Sequence, residues 1–186
     1  MRHLVHGLIV MDYFSVFGLE PQLSIDVEDL QARFYKLSRE YHPDRFARQS
    51  AEAQQKSLDT TSLLNDGLRV LKDPVKRAEY VLSKNGLQVA EQRGKDVPPE
   101  LLEEVFELNM ALEELRSGDD SARPQIEGAQ ANFMGIRTEI DAELHNLFAD
   151  YDRSPAPALL DRMRAILNRR RYIQNLIGET EKTLKA

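Results

Sequence analysis

Apolar residues recur at steps of three and four through most of the chain, a spacing that places them on one face of an α-helix. One such stripe comprises Val27, Leu30, Phe34, Leu37 and Tyr41, and a longer one comprises Ile126, Ala129, Phe133, Ile136, Ile140, Leu144 and Leu147. The 9 Gly and 8 Pro fall mostly between such segments, which argues against long sheets joined by many turns. The sequence therefore predicts an all-α fold.

The first part of the chain is predicted to form a helical hairpin. Asp26 is placed to cap a helix that Pro43 stops, because a proline forces the preceding residue out of helical geometry. A second long helix is expected over residues 50–72, with an inner face made of Leu58, Thr61, Leu64, Leu68 and Leu71. Its interior Gly67 costs about 1 kcal/mol relative to alanine, a cost that close packing against another helix would explain.

The remaining boundaries predict two domains. Asp73-Pro74 begins a short helix that Asn85-Gly86 ends, so residues 12–86 form the first domain. Residues 87–97 are the expected linker, and residues 1–11 are an extra N-terminal segment. Three helices follow, joined by short loops near Ser117-Gly118 and Ser154, and such loops favour antiparallel neighbours. Residues 98–186 are therefore predicted to form an antiparallel three-helix bundle.

Composition excludes several classes of function. The chain has no Cys, so it has no thiolate to bind a metal or to act as a nucleophile, and His3 and His6 are the only pair of its four His at a ligand-like spacing. Residues 1–86 carry 12 Lys and Arg against 12 Asp and Glu, and the remainder carries 13 against 19. The acidic second half argues against nucleic-acid binding. No apolar run is long enough to span a membrane, and we expect a cytoplasmic protein.

The sequence His42-Pro43-Asp44 lies between the two long helices of the hairpin. A catalytic His–Asp pair is one interpretation, but the proline fixes an exposed turn and no nucleophile is tied to it. An ordinary turn is the other, since proline and aspartate are common turn residues. The surrounding residues favour a third interpretation, a resemblance to a known family. With Leu64-Asn65, Asp73-Pro74 and Arg77-Ala78-Glu79-Tyr80, the segment from about Asp12 to Ser83 resembles the J-domain family.

That resemblance implies docking on a DnaK-type chaperone and stimulation of its ATPase. It implies that Asp44 pairs with an arginine of the chaperone and that His42 and Pro43 fix the shape of the loop. The surrounding basic residues are Arg33, Lys36, Arg39, Arg45 and Arg48. Taken alone they could be an ordinary solvated helix face; beside the loop they are better explained as a docking patch for an acidic surface. The ATP site would belong to the chaperone, so no enzymatic activity is expected here.

The first helix of the bundle carries two apolar faces. Leu101, Val105, Leu108, Leu112 and Leu115 form one stripe, while Leu102, Phe106 and Met110 project well away from it. The second face is bordered by Glu103, Glu107, Glu113 and Glu114. It is either the edge of a wide core stripe or an exposed interaction surface. In the last helix, Tyr172 lies off the stripe formed by Ile166, Ile173 and Ile177, and we expect it to be exposed.

A J-domain at the N-terminus followed by an acidic three-helix bundle is similar to the HscB family of iron–sulfur co-chaperones. The segments Met11-Asp12-Tyr13-Phe14 and Arg77-Ala78-Glu79-Tyr80-Val81-Leu82 add to the likeness. The resemblance implies an HscA-type chaperone and an IscU-type iron–sulfur scaffold as partners, with the scaffold supplying the cluster ligands and this chain binding no cofactor.

The same resemblance implies scaffold contacts at Leu102, Phe106, Glu107, Glu114 and Tyr172. Glu103 stands where an apolar residue is common in the family, and Met110 where an acidic one is common. The charge pattern of the rim is thereby altered, while the helix keeps its character as a binding face. The alternative function is that of a general J-protein that holds unfolded clients.

Overall fold

The computed structural model describes residues 12–89 and 99–185. All regular structure within those two ranges is helical, which confirms the all-α fold. The described residues fall into two compact units, divided between Val81 and Leu82. The extra N-terminal segment, which includes His3 and His6, and residues 90–97 of the expected linker lie outside the described residues.

The first unit is built on a helical hairpin. Its helices are α1 (Tyr13–Val16), α2 (Val27–Glu40), α3 (Pro43–Phe46) and α4 (Ala51–Lys72), together with most of α5 (Pro74–Lys84), whose last three residues fall in the second unit. Helices α2 and α4 pack against each other, and α1 and α3 both pack on α4. The predicted hairpin is confirmed; the four-residue helix α3 was not predicted.

Capping side chains set the helix ends as the sequence indicated. The carboxylate of Asp26 accepts the backbone N–H groups of Glu28 at 2.9 Å and Asp29 at 3.2 Å, so it caps α2. Asp73 does the same for α5, accepting from Val75 at 2.9 Å and Lys76 at 3.1 Å. Each cap supplies acceptors for N–H groups that the first turn of a helix leaves unpaired.

Close packing at Gly67 explains the helix-interior glycine. A Cβ added there would lie 2.9 Å from Cε2 of Phe17 and 3.3 Å from Cδ1 of Tyr13. Helix α1 therefore rests directly on the backbone of α4, as the predicted packing required. Leu58 does not lie on the inner face of α4, where it was predicted. It is 51% exposed, because Ser57, one residue earlier, takes the inward position.

A buried arginine ties the first unit together. Arg77 is 4% exposed, and its guanidinium donates to the carbonyl of Leu23 at 2.7 Å and to the carbonyl of Leu71. It thus joins the start of α5 to the loop before α2 and to the end of α4. Buried carbonyls need such donors, because an unpaired polar group in the interior is costly.

The second unit is a three-helix bundle. A 3₁₀ turn (Pro99–Leu101) leads into α6 (Leu102–Arg116), which is followed by α7 (Arg123–Arg153) and α8 (Pro157–Leu184). Each helix packs against the other two. Arg137 bonds to Gln174 at 3.0 Å and Asp141 to Arg170 at 2.5 Å, so residue numbers fall along α8 as they rise along α7. These two helices are therefore antiparallel, as predicted.

No helix within residues 12–89 or 99–185 has both the length and the apolar character needed to cross a bilayer.

Candidate functional site

The loop after α2 is closed by its own backbone and by the ring of His42. His42 is extended, with φ −61° and ψ 130°, and Pro43 is the first residue of α3. Nδ1 of His42 accepts the N–H of Asp44 at 3.3 Å, and the carbonyl of His42 accepts the N–H of Arg45 at 2.9 Å. His42 is therefore the N-cap of α3, and Pro43 suits the first position because it has no N–H to leave unpaired.

The side chains of His42 and Asp44 face solvent. The Asp44 side chain is 89% exposed and that of His42 is 56% exposed. Nδ1 of His42 lies 3.5 Å from Oδ2 of Asp44 and accepts the backbone N–H of the same residue. The Asp44 carboxylate is thus accessible to a cationic group of a partner.

The loop is also bound to α4. The carbonyl of Tyr41 accepts the hydroxyl of Ser57 at 2.7 Å and that of Thr61 at 3.2 Å. Ser57 is buried. The sequence did not indicate its burial, because a serine beside an apolar stripe is usually solvated.

Exposed basic side chains lie on the outer face of α2 and on α3. Lys36, Arg39 and Arg45 are exposed, and together with Tyr35 they line a shallow groove of about 570 Å³. Nη1 of Arg45 donates to the carbonyl of Arg39 at 3.2 Å, which draws the start of α3 to the end of α2. The positive charges therefore continue from the helix onto the loop.

Arg33 has a structural role that the sequence did not indicate. Its Nε donates to Oδ2 of Asp29 at 2.7 Å, and its Nη1 donates to the carbonyls of Phe17 at 3.1 Å and Gly18 at 3.0 Å. Gly18 has a φ of +63°, a left-handed conformation that glycine adopts without strain. Arg33 thus joins the end of α1 to α2, and its predicted role in docking stays a prediction.

Helix α6 exposes one of its two apolar faces. Leu101, Val105, Leu108 and Leu112 are buried in the bundle, whereas Leu102, Phe106 and Met110 are 55%, 67% and 52% exposed. The wide-core interpretation is therefore wrong. Glu103, Glu107, Glu113 and Glu114 are exposed as well, so carboxylates border the apolar row.

The packing of the bundle explains why this face is open. Glu104, Glu107 and Leu108 line a groove that α6 forms with α7. On another side of α6, Arg116 pairs with Glu179 of α8 at 3.1 Å. With both neighbours so placed, neither of the other two helices of the bundle covers the third side of α6. Exposed apolar patches bordered by polar residues mark interaction surfaces.

The expected exposure of Tyr172 is wrong. Its side chain is only 8% exposed, and burial raises the pKa of its hydroxyl. Helix α8 packs against both α6 and α7, so its buried arc is wider than the stripe of Ile166, Ile173 and Ile177 from which exposure was inferred. Tyr172 belongs to the core of the bundle.

Within the described ranges no group of three His, Asp or Glu side chains is arranged to hold a metal ion. The surfaces that stand out are the loop with its basic helix face and the apolar row on α6.

Comparison with known proteins defines the class first. Residues 12–80 match the DnaJ domain family, and residues 97–181 match a family described as the HSCB C-terminal oligomerisation domain. A J-domain followed by this bundle is the architecture of a J-domain co-chaperone.

The similarity to individual proteins of known name then identifies the family. The co-chaperone protein HscB homologue of Vibrio vulnificus strain YJ016 is 33% identical over 172 residues, covering 92% of this chain and 95% of the relative. The solved structure of chaperone HscB from Vibrio cholerae has a TM-score of 0.64 at 26% identity, over 92% of this chain and 96% of that one. The chain belongs to the HscB family of co-chaperones. Human co-chaperone HscB, at 24% identity with a TM-score of 0.70 over 97% and 85% of the two chains, shares the fold.

Proposed function

We propose that this protein accelerates ATP hydrolysis by a DnaK-type chaperone of the HscA kind and delivers to it an iron–sulfur scaffold protein of the IscU kind. One observation carries the proposal: a single chain exposes two unlike surfaces, a charged loop beside a basic helix and an apolar row bordered by carboxylates. Membership of the HscB family supports it, because the relatives are named co-chaperones.

The first surface suits an acidic partner. Asp44 offers an exposed carboxylate to an arginine of the chaperone, and a charge-assisted pair of this kind is stronger than a neutral hydrogen bond. Lys36, Arg39 and Arg45 steer the encounter by long-range attraction. Arg33 contributes indirectly, by holding α2 in place through its internal bonds. Stimulation should weaken as salt rises, because about 0.1 M salt screens exposed charges beyond about 10 Å.

The second surface suits a folded partner with an apolar centre and a basic rim. Leu102, Phe106 and Met110 supply the apolar contacts, and Phe106 is the aromatic residue that would dominate the binding energy. Glu107 and Glu114 supply the charged rim. Tyr172 is excluded from this surface, since it is buried.

The two surfaces act together by proximity. A chain that holds both partners raises the local concentration of one at the other without any new chemistry. The proposal therefore includes no enzymatic activity and no bound cofactor; with no Cys in this chain, cluster ligands come from the scaffold. It also includes a cytoplasmic location and excludes nucleic acid and membranes as partners.

Steady-state ATPase assays test the proposal. A purified DnaK-type chaperone is assayed with the wild-type chain, with His42→Gln and with Phe106→Ala, each with and without scaffold. His42→Gln should abolish stimulation while scaffold binding persists, and Phe106→Ala should lose scaffold binding while stimulation persists. His145→Gln and Met134→Ala are matched controls, because both residues are exposed on α7.

The same experiment separates the alternative function. A general J-protein would bind a denatured model protein through Leu102, Phe106 and Met110 and would not bind the folded scaffold. That result would contradict the proposed delivery of a scaffold, even if ATPase stimulation were observed.

A further inference from the structure

We infer that α4 positions the His42-Pro43-Asp44 loop for docking through the side chains of Gln54, Ser57 and Thr61, which we call the polar clasp. The inference rests on the proposed function, since the loop matters only if it docks. It assigns these three residues a role as positioning residues, acting through the backbone of the loop rather than by touching the chaperone.

The clasp holds the chain just before the loop. Tyr41 is the C-cap of α2, where helix carbonyls lack partners within the helix. Its carbonyl accepts the hydroxyls of Ser57 at 2.7 Å and Thr61 at 3.2 Å, which uses both lone pairs of the oxygen. Ser57 is 1% exposed, so water does not compete freely for its bond.

The clasp also holds the chain just after α3. Nε2 of Gln54 donates to the carbonyl of Gln49 at 3.0 Å and to that of Ala47 at 3.3 Å. Gln54, Ser57 and Thr61 follow one another at steps of three and four, so they share one face of α4. One helix face therefore fixes backbone carbonyls on both sides of His42-Pro43-Asp44.

These bonds are not the usual local pairing of helical hydroxyls. Thr138 on α7 shows that pairing, donating to the carbonyl of Met134 four residues back at 3.0 Å. Ser57 and Thr61 reach instead to Tyr41, 16 and 20 residues away. Their hydroxyls therefore join two elements of the fold.

The consequence is a loop with a fixed backbone and exposed side chains. A partner that docks on such a loop spends little free energy on ordering it. If the clasp is lost, the fraction of chains with the loop in its docking conformation falls, and the apparent affinity falls by the same factor. One hydrogen bond of ordinary net strength changes such an equilibrium by about two- to tenfold.

The test removes the two hydroxyls together. In the full chain, Ser57→Ala with Thr61→Val removes two hydrogen bonds and should speed amide hydrogen exchange at Asp44 and Arg45, measured by NMR, by about five- to hundredfold. The concentration of the chain that gives half-maximal ATPase stimulation should rise by up to the same factor, in proportion to the lost fraction of chains in the docking conformation, with the maximal rate unchanged. Thr61→Ser keeps a donor and should retain both wild-type values.

A second variant separates positioning from general stability. Gly67→Ala disturbs the contact between α1 and α4, away from the loop, and is expected to lower the stability of the first unit. Assayed well below its melting temperature, it should leave exchange at Asp44 and Arg45 and the half-maximal concentration unchanged.

Unchanged exchange and unchanged half-maximal concentration in the double variant would overturn the inference. So would equal changes in Gly67→Ala, since the effect would then reflect stability alone. Failure of the proposed function is a different observation: the wild-type chain would not stimulate the chaperone, while the exchange measurement would still test whether the clasp holds the loop.

Discussion

Replacement of Gly67 by alanine tests the packing of α1 on α4. The added Cβ would lie 2.9 Å from Cε2 of Phe17 and 3.3 Å from Cδ1 of Tyr13, where carbon atoms in contact normally lie about 3.5–4.0 Å apart. Phe17 is 3% exposed, so its ring is enclosed in the core of the first unit. Tyr13 is held by its ring contact with Tyr80, with centroids 4.7 Å apart.

Two opposing effects set the magnitude. Alanine gains about 1 kcal/mol over glycine in a helix interior, and overpacking a core costs about 1–3 kcal/mol. Because both neighbours are held, the upper part of that range applies. We expect Gly67→Ala to lower the free energy of unfolding of the first unit by about 1–2 kcal/mol. For a unit of this size, each kcal/mol corresponds to a fall in melting temperature of about 4–8 °C.

Amide hydrogen exchange in the full chain measures this loss unit by unit. Protection of α4 amides should fall in Gly67→Ala, while protection in α7 and α8 should be unchanged. Gly128→Ala on α7 is the matched control: nothing lies within 4 Å of its added Cβ, so it should stabilise the bundle by about 1 kcal/mol. A Gly67→Ala variant that gained stability would refute the packing argument.

Two further predictions concern exposure and pH. Phe133→Ala should lower the free energy of unfolding by about 3–5 kcal/mol because Phe133 is fully buried, whereas Phe106→Ala should lower it by less than about 1 kcal/mol because two-thirds of that residue is exposed. Urea denaturation compares the two variants, and a similar large loss of stability in both would contradict the assigned face of α6. Burial, aided by a 2.6 Å bond to Asp12, raises the pKa of the Tyr80 hydroxyl. Its stabilising contribution is therefore complete below the unfolded pKa of about 10 and falls as pH rises above it. Tyr80→Phe should flatten that alkaline decline in urea titrations, and an unchanged slope would count against it.

Local signals carried most of the fold. Apolar spacing and caps such as Asp26 and Asp73 depend on neighbouring residues, so the starts of α2, α4 and α5 were predictable to within a residue or two. The unfavourable helix propensity of Gly67 also indicated, correctly, a close contact between α4 and another part of the chain. The exposed loop and the second apolar face of α6 followed from proline geometry and helical angles alone.

Long-range pairings could not be predicted in the same way. Ser57 and Arg33 bond to carbonyls at least 15 residues away, and no local pattern distinguishes them from solvated residues. Tyr172 was misjudged because burial on α8 depends on how many helices surround it. A single apolar stripe does not contain that information.

In the proposed function, the exposed loop after α2 speeds ATP hydrolysis by a chaperone. Its most direct test is the steady-state ATPase rate of a DnaK-type chaperone from the same cell, measured at increasing concentrations of this chain. We expect a saturable rise in rate that His42→Gln abolishes and His145→Gln leaves intact. An equal rate with and without the wild-type chain, or an equal rise with His42→Gln, would contradict it.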